Sequence, residues 1–420
     1  MKNKSKINFY NFLFFFALYV SLIVGFLFGE NLNYGAKPDW LYTDISPIKD
    51  FANSFKETFL NYDKYNHRHS PVYIMFLSYL FKTGLSFEWI RFIHLNLSLL
   101  LLVVFYRCLL LKFQNIDRNI LLLLSLSIFL SPTFRSLAIW PDTRIIGLIF
   151  FTLSIYEFLK YCEDKKKINY YKNILYLIIS SYISPNFSVF IIFFFYTYIK
   201  ELNLGDILKG FLISLLLGFP ALYYLFILDV NFLLALTPGD TQNQSLSLSY
   251  NFSNKILIIS TIILFHLIPM VLNKKFFTDL RKSIIKNFLF IIFFLILNIL
   301  FFDYVLRYTG GGVFFQFSNL IFGNNILFFI ISFFSLSVLG YFSKENIKNS
   351  LVFILLIISN VQNTIYHKYY DPLILILFFT LINNFLPNEF LKKKFNVIFI
   401  YIFYFGYIIL RVVKNKYFAY

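Results

Sequence analysis

Apolar runs of near-spanning length recur from one end of the chain to the other, near 9–28, 92–111, 119–135, 145–160, 173–184, 186–199, 209–228, 255–272, 287–302, 320–342, 350–366, 371–386 and 396–413. A helix of about 20 apolar residues crosses a bilayer core. The pattern therefore predicts an all-α, polytopic transmembrane bundle of about 11–13 spans forming a single membrane domain over 1–420. One run, Val72–Phe81, is too short for this. A helix of about 13 residues rises only about 20 Å against a core of roughly 30 Å. It is read as a juxtamembrane or re-entrant helix in a first outer loop spanning 29–91.

Composition agrees with the pattern: 59% of residues are hydrophobic and only 14% are charged, against about 25% charged in soluble domains. The net charge of +17 is mostly a topology signal. With the N-terminus in the cytoplasm, Lys2, Lys4, Lys6, the Lys165–Lys167 cluster and the Lys392–Lys394 cluster all fall inside, as the positive-inside rule requires. Treating Val72–Phe81 as a full span would invert every later loop, so nucleic-acid binding drops out as an explanation of the charge. Cys108 and Cys162 fall near the reducing side, where no disulfide is expected. No heptad, internal repeat or cleaved leader is evident, and the first run reads as an uncleaved anchor in a plasma membrane.

The long polar interruption Pro38–Tyr73 holds the richest chemistry. Ser46-Pro47 matches an N-cap followed by Pro in the first turn, and Ile48, Phe51, Ala52, Phe55 and Phe59 recur at helical spacing. This predicts an amphipathic helix on the membrane surface. Asp44 precedes it, and two roles fit: a general base toward an acceptor hydroxyl, or a helix cap. Ser70-Pro71 opens the short helix, and Arg68 and His69 stand before it. They suit either a lipid-linked phosphate or bulk headgroups. His67 beside them reads as a solvated bystander.

The second outer loop carries Arg135, Trp140, Pro141, Asp142 and Arg144. Asp142 and Arg144 fit a local salt pair, or a carboxylate that orients substrate beside a cation that neutralises phosphate. Later, Asp229–Asn254 reads as a lid or an idle connector, and Gly310–Gly312 as a mobile segment lacking the Lys-Ser/Thr of a P-loop. His367 and Lys368 fit donor contacts or an interfacial belt, and His266 fits hydrogen-bonded packing.

In order and spacing, Tyr42-Thr43-Asp44, His69-Ser70-Pro71-Val72-Tyr73 and Ser131-Pro132 through Trp140-Pro141-Asp142 resemble the GT-C superfamily of membrane glycosyltransferases. Within it the chain is most similar to bacterial dolichyl-phosphate-mannose-protein mannosyltransferase-like and aminoarabinose-transferase-like proteins. The resemblance covers roughly 9–200, so that 92–200 is the rest of the GT-C-type core and 201–420 a variable set of C-terminal spans. It implies Asp44 as catalytic base, Asp142 as the second outer carboxylate, and Arg68, His69, Arg144, His367 and Lys368 as phosphate or substrate contacts. The implied donor is a sugar on a polyprenyl phosphate, passed to a lipid, polysaccharide or protein acceptor on the outer face of a bacterial inner membrane. Many relatives place a second acidic residue directly after the first Asp, whereas Ile45 and Ser46 follow here. No obligatory metal or other cofactor is expected from that pattern.

Two other classes fit a many-spanning chain. An O-antigen polymerase or ligase would place its large functional loop late, whereas the most charged loop here is early. A flippase or transporter would carry ionisable groups inside several spans, and His94, Glu157 and His266 are the main ones.

Overall fold

The computed structural model describes residues 9–33, 35–65, 70–228, 251–306 and 310–417. The chain divides into two compact units, Met1–Ala235 and Leu236–Tyr420. Among the described residues the regular elements are all helices, with one isolated β-bridge between Gly310 and Tyr366. Among the described residues eight helices are long and apolar enough to cross a membrane, and the number rises to nine if Arg118–Leu130 and Pro132–Ile139, bent by 67°, form one broken span. The chain is an all-α, multi-pass membrane protein.

The span count differs from the 11–13 expected, because several apolar runs are cut short. The run near 350–366 becomes a helix of 12 residues, Ile347–Ile358, and that near 371–386 one of 8 residues, Leu373–Thr380. At about 1.5 Å per residue neither crosses a core of about 30 Å. Near 173–199, Pro185 and the extended backbone at Ser184 separate Lys167–Ile183 from Ile191–Glu201 through a tight 3-10 turn. Hydropathy alone does not register such breaks.

In the first unit, Thr143–Asp164 is the enclosed helix, and Lys167–Ile183 packs along it. Small and polar groups join the two, as suits helices in lipid. Ser180 Oγ donates to the Gly147 carbonyl at 2.8 Å, and Asn173 Nδ2 donates to the Ser154 carbonyl at 2.8 Å. A Cβ on Gly147 would sit 2.7 Å from Ser184 Cβ, so only glycine permits this approach.

The polar segment after the first span is helical earlier than its sequence suggests. Helical backbone begins at Ala36, and a π-type turn over Asp39–Asp44 runs directly into the α-helix Ile45–Asn53. Pro47 accounts for the wide turn: it has no N–H to give the Thr43 carbonyl, and its ring crowds that carbonyl. The chain instead bonds Ile45 N–H to the Trp40 carbonyl, five residues back. Ser46 is therefore inside the helical run and is not its cap. The expected apolar face is also shorter than predicted. Ile48 and Phe51 are buried, but the backbone leaves the helix at Ser54 (φ −142°, ψ 84°) and restarts as Phe55–Leu60, leaving Phe55 exposed. Val72–Lys82 forms as the short helix expected, with Ser70 Oγ accepting from Val72 N–H at 3.3 Å.

In the second unit, Phe252–Val271 is enclosed and packs with Ile326–Glu345, Lys274–Leu300 and Lys394–Tyr417. Asp303 fastens its start, with Oδ1 accepting from Asn251 Nδ2 at 2.8 Å and from Asn254 Nδ2 at 2.6 Å. The Gly310–Gly312 segment, expected to be mobile, is packed. Gly311 N–H donates to the Ile365 carbonyl at 2.9 Å, and a Cβ on Gly312 (φ +75°) would lie 2.6 Å from Ile262 Cγ1. Most of the Asp229–Asn254 stretch, 229–250, lies outside the described residues.

Candidate active site

Asp142 is placed by the proline before it. Pro141 bars its predecessor from the helical region, and Trp140 is extended (φ −111°, ψ 114°) at the end of Pro132–Ile139. The chain turns and Asp142 caps the next helix, its Oδ1 accepting from Arg144 N–H at 2.8 Å. The Arg144 guanidinium lies 3.9 Å from Asp142 Oδ2, so cap and ion pair coexist. Both side chains are buried, at 9% and 8% exposure. This brings a carboxylate and a guanidinium into one enclosed place.

His94, on the helix Phe87–Ser98, joins this place to the polar segment. Its Nε2 lies 2.7 Å from the Leu137 carbonyl. A carbonyl only accepts, so Nε2 carries the proton and Nδ1 presents a lone pair. The Tyr73 hydroxyl, hydrogen-bonded to Nδ1, is therefore the donor. Asp142 is within electrostatic reach of the His94 ring.

Tyr73 is buried on the short helix Val72–Lys82. Burial pushes its phenol well above the ordinary value, and the charges of Asp142 and then Asp44 add to the shift. Tyr73 thus stays protonated and neutral with both carboxylates acting on it. Asp44 is half-buried in the π-type turn and makes no capping hydrogen bond, so the capping role does not account for it. Its charge also reaches Tyr62, whose phenol is raised by burial first and by Asp44 second.

The remaining predicted contacts fall differently. Arg68 and His69, with His67, lie outside the described residues. His367 and Lys368 belong to the second unit. His367 does not offer an exposed imidazole: it is 3% exposed and its Nε2 faces His266 Nε2 at 2.7 Å. Burial, then the charges of His266, Arg411 and Lys414, hold it well below the ordinary histidine value. Lys368 lies over the Tyr366 ring at 5.6 Å.

Arg135, grouped with the second loop in the sequence, is a structural residue. Its Nε and Nη2 each donate to the Glu30 carboxylate at 2.6 Å, and its guanidinium also reaches Ser21. The Tyr73–His94 pair escaped the sequence reading as a pair, since the two are 21 positions apart on separate helices. The signal available was only a tyrosine and a histidine on otherwise apolar segments. Among the described residues no group of three or more His, Cys, Asp or Glu is placed to hold a metal. Comparison of the chain with protein-family models, with curated proteins and with solved structures finds no match.

Proposed function

We propose that the chain is a GT-C-type glycosyltransferase that moves a sugar from a polyprenyl-phosphate donor to an acceptor hydroxyl on the outer face of a bacterial plasma membrane. The observation that carries this reading is the buried Asp142–Arg144 pair, 3.9 Å apart at the start of a span, together with Asp44 half-buried in the π-type turn of the first polar segment and making no capping hydrogen bond. Arg144 pairs with Asp142, and the charges of Asp142 and Asp44 both add to the upward shift of the Tyr73 phenol, which supports reading the two carboxylates as parts of one site.

In the reaction, Asp44 takes the proton from the acceptor hydroxyl as its oxygen attacks the anomeric carbon. The glycosidic bond forms as the bond from that carbon to the phosphate oxygen breaks, and the phosphate leaves with the electron pair. Arg144 stabilises the charge gathering on the departing phosphate. Asp142 anchors Arg144, and Tyr73, hydrogen-bonded to His94, is a positioning residue. Such a step needs a base and an anion partner, and both are supplied by side chains.

The test is transfer of labelled hexose from polyprenyl-phosphate donors by the purified full-length protein, compared with Asp44→Asn. Loss of about 100-fold or more is expected for removal of a general base; full transfer by the variant would remove Asp44 from the mechanism. A second reading, a lipid or sugar flippase, is favoured by the buried ionisable groups His266, His367 and Arg411 of the second unit. Under it, Asp44→Asn leaves translocation intact and no transfer is seen with any donor.

A further inference from the structure

The second unit encloses a group of basic side chains that take no part in the proposed transfer step. Along Lys394–Tyr417, Tyr404, Tyr407, Arg411 and Lys414 recur at helical spacing on one face. Tyr407 is central: its ring is 5.4 Å from that of His367, and the Arg411 guanidinium lies 5.7 Å from the Tyr407 ring centre. Lys414 Nζ donates to Gln316 Oε1 at 2.5 Å, and Gln316 Nε2 donates to the Gly310 carbonyl at 2.6 Å. Gly310 is bridged to Tyr366, next to His367. Arg411, Lys414 and His367 are thus tied into one cluster.

The acidic group whose charge reaches the cluster is Asp371, which acts on His266, Tyr404 and Tyr407. Neither Arg411 nor Lys414 forms an ion pair among the described residues. Arg411 is 8% exposed, and its Nε has no hydrogen-bond partner there. The Nδ1 atoms of His266 and His367 are buried and likewise without partners there. The Arg411 guanidinium and the His367 ring lie 5.7 Å and 5.4 Å from the same Tyr407 ring, so the basic groups gather about it.

Burying a guanidinium without a counter-charge is costly, and an unpaired N–H beside it adds to the cost. The backbone here is also irregular. Gly310 and Gly311 meet Ile365 and Tyr366 beside the middle of the helix Phe252–Val271, since the Gly312 Cβ position falls against Ile262. At membrane depth such backbone persists where protein encloses it or where it lines a cavity.

We propose that Arg411, Lys414 and His367 form a binding site for a phosphate-type oxyanion. Arg411 Nε–H and the Lys414 ammonium supply charge, and His367 donates from Nδ1–H. That tautomer requires His367 Nε2 to accept from His266 Nε2–H, which the 2.7 Å contact allows. The phosphate comes either from a membrane lipid that carries a phosphate monoester or from solution. The site shares none of the residues that act in the proposed transfer step, Asp44, Asp142, Arg144 and Tyr73; of its members only His367 was among the phosphate or substrate contacts that the resemblance implied.

The experiment is thermal unfolding of the full-length protein, with inorganic phosphate and, separately, with a long-chain polyprenyl phosphate in detergent, each against chloride of equal ionic strength. A ligand of the folded state raises the midpoint with its concentration. The expected result is a saturable rise with at least one probe and none with chloride. A rise with the polyprenyl phosphate alone assigns a lipid phosphate, and a rise with inorganic phosphate assigns a soluble anion. Arg411→Gln with Lys414→Gln is expected to weaken the apparent affinity by about tenfold or more. Lys414→Gln alone, at a half-buried position, gives the same direction if the double variant does not fold. Asp44→Asn is expected to keep the full response. No rise with either probe, an equal rise with chloride, an undiminished rise in the Lys414 variant, or loss of the response in Asp44→Asn overturns the proposal.

Discussion

The Arg135 guanidinium grips the Glu30 carboxylate through two hydrogen bonds of 2.6 Å each, tying the end of the first span to the helix Pro132–Ile139 across 105 positions of sequence. Trp140 Nε1 donates to the Glu30 carbonyl at 2.8 Å, so the same residue also holds the turn that leads to Asp142. The pair is mostly buried, and removing one partner leaves the other charge enclosed. Glu30→Ala is expected to cost about 3 kcal/mol, the lower end for breaking a buried pair. Denaturant unfolding of the purified protein checks this, and Glu30→Ala combined with Arg135→Ala is expected to cost less than the sum of the two.

Gly25 makes room for that grip. A Cβ there would lie 2.5 Å from Glu30 Oε2 and 3.0 Å from Arg135 Nη2. Gly25→Ala sits inside a helix, where alanine is ordinarily the better residue by about 1 kcal/mol. The expected outcome is the reverse sign, a lowered unfolding midpoint, and that loss should vanish in a Glu30→Ala background where the carboxylate is gone.

The helical, many-spanning architecture was legible because an apolar helix in lipid writes itself into composition and length. So was the short helix Val72–Lys82, although it starts one residue later than read, with Pro71 as its N-cap and not in its first turn. Asp142 was legible as a span-end acid, though its capping bond to Arg144 was not. What the sequence concealed depends on distant partners. Arg135 looked like a loop cation until Glu30 met it, and His367 looked like an outer contact until His266 was found against it. The Ser46 start misled because Pro47 fits the first turn of a helix and also the exit from a π-type turn, and only the residues before it decide between them.

Tyr65 supplies a pH test in the polar segment. Its hydroxyl donates to Asp50 Oδ2 at 2.7 Å, and its pKa is pushed up to about 12 by burial first and then by the Asp50 hydrogen bond and charge. Because the folded state holds this proton more tightly than the unfolded chain, the contribution is complete below about pH 10. It is lost as pH rises toward 12. Unfolding measured across this window should show a steeper fall for the wild type than for Tyr65→Phe; parallel curves would remove Tyr65 as a contributor.

Tyr73→Phe separates positioning from folding in the proposed site. The phenol donates to His94 Nδ1, and removing the hydroxyl leaves a buried lone pair without its donor, a loss of about 1–3 kcal/mol in stability. Under the transferase reading Tyr73 is also a positioning residue, held in place by His94. Transfer should then drop on the order of a hundredfold, as small displacements of reacting groups do. His94→Ala is expected to reproduce the loss of transfer, because it frees the same hydroxyl. Retention of full transfer in both variants would leave the pair a packing feature.

Pro47→Ala addresses the turn that carries Asp44. Alanine restores an N–H able to bond the Thr43 carbonyl and removes the ring that crowds it, so a regular α-helix can replace the π-type turn over Asp39–Asp44. One residue of register turns a side chain by about 100° around a helix, which would redirect the Asp44 carboxylate. The unfolding midpoint should stay level or rise, since alanine is the better helix former. Transfer should fall toward the level of Asp44→Asn even though no ionisable group has been altered. A variant that keeps its stability and also keeps full transfer would show that the wide turn does not set the carboxylate's position.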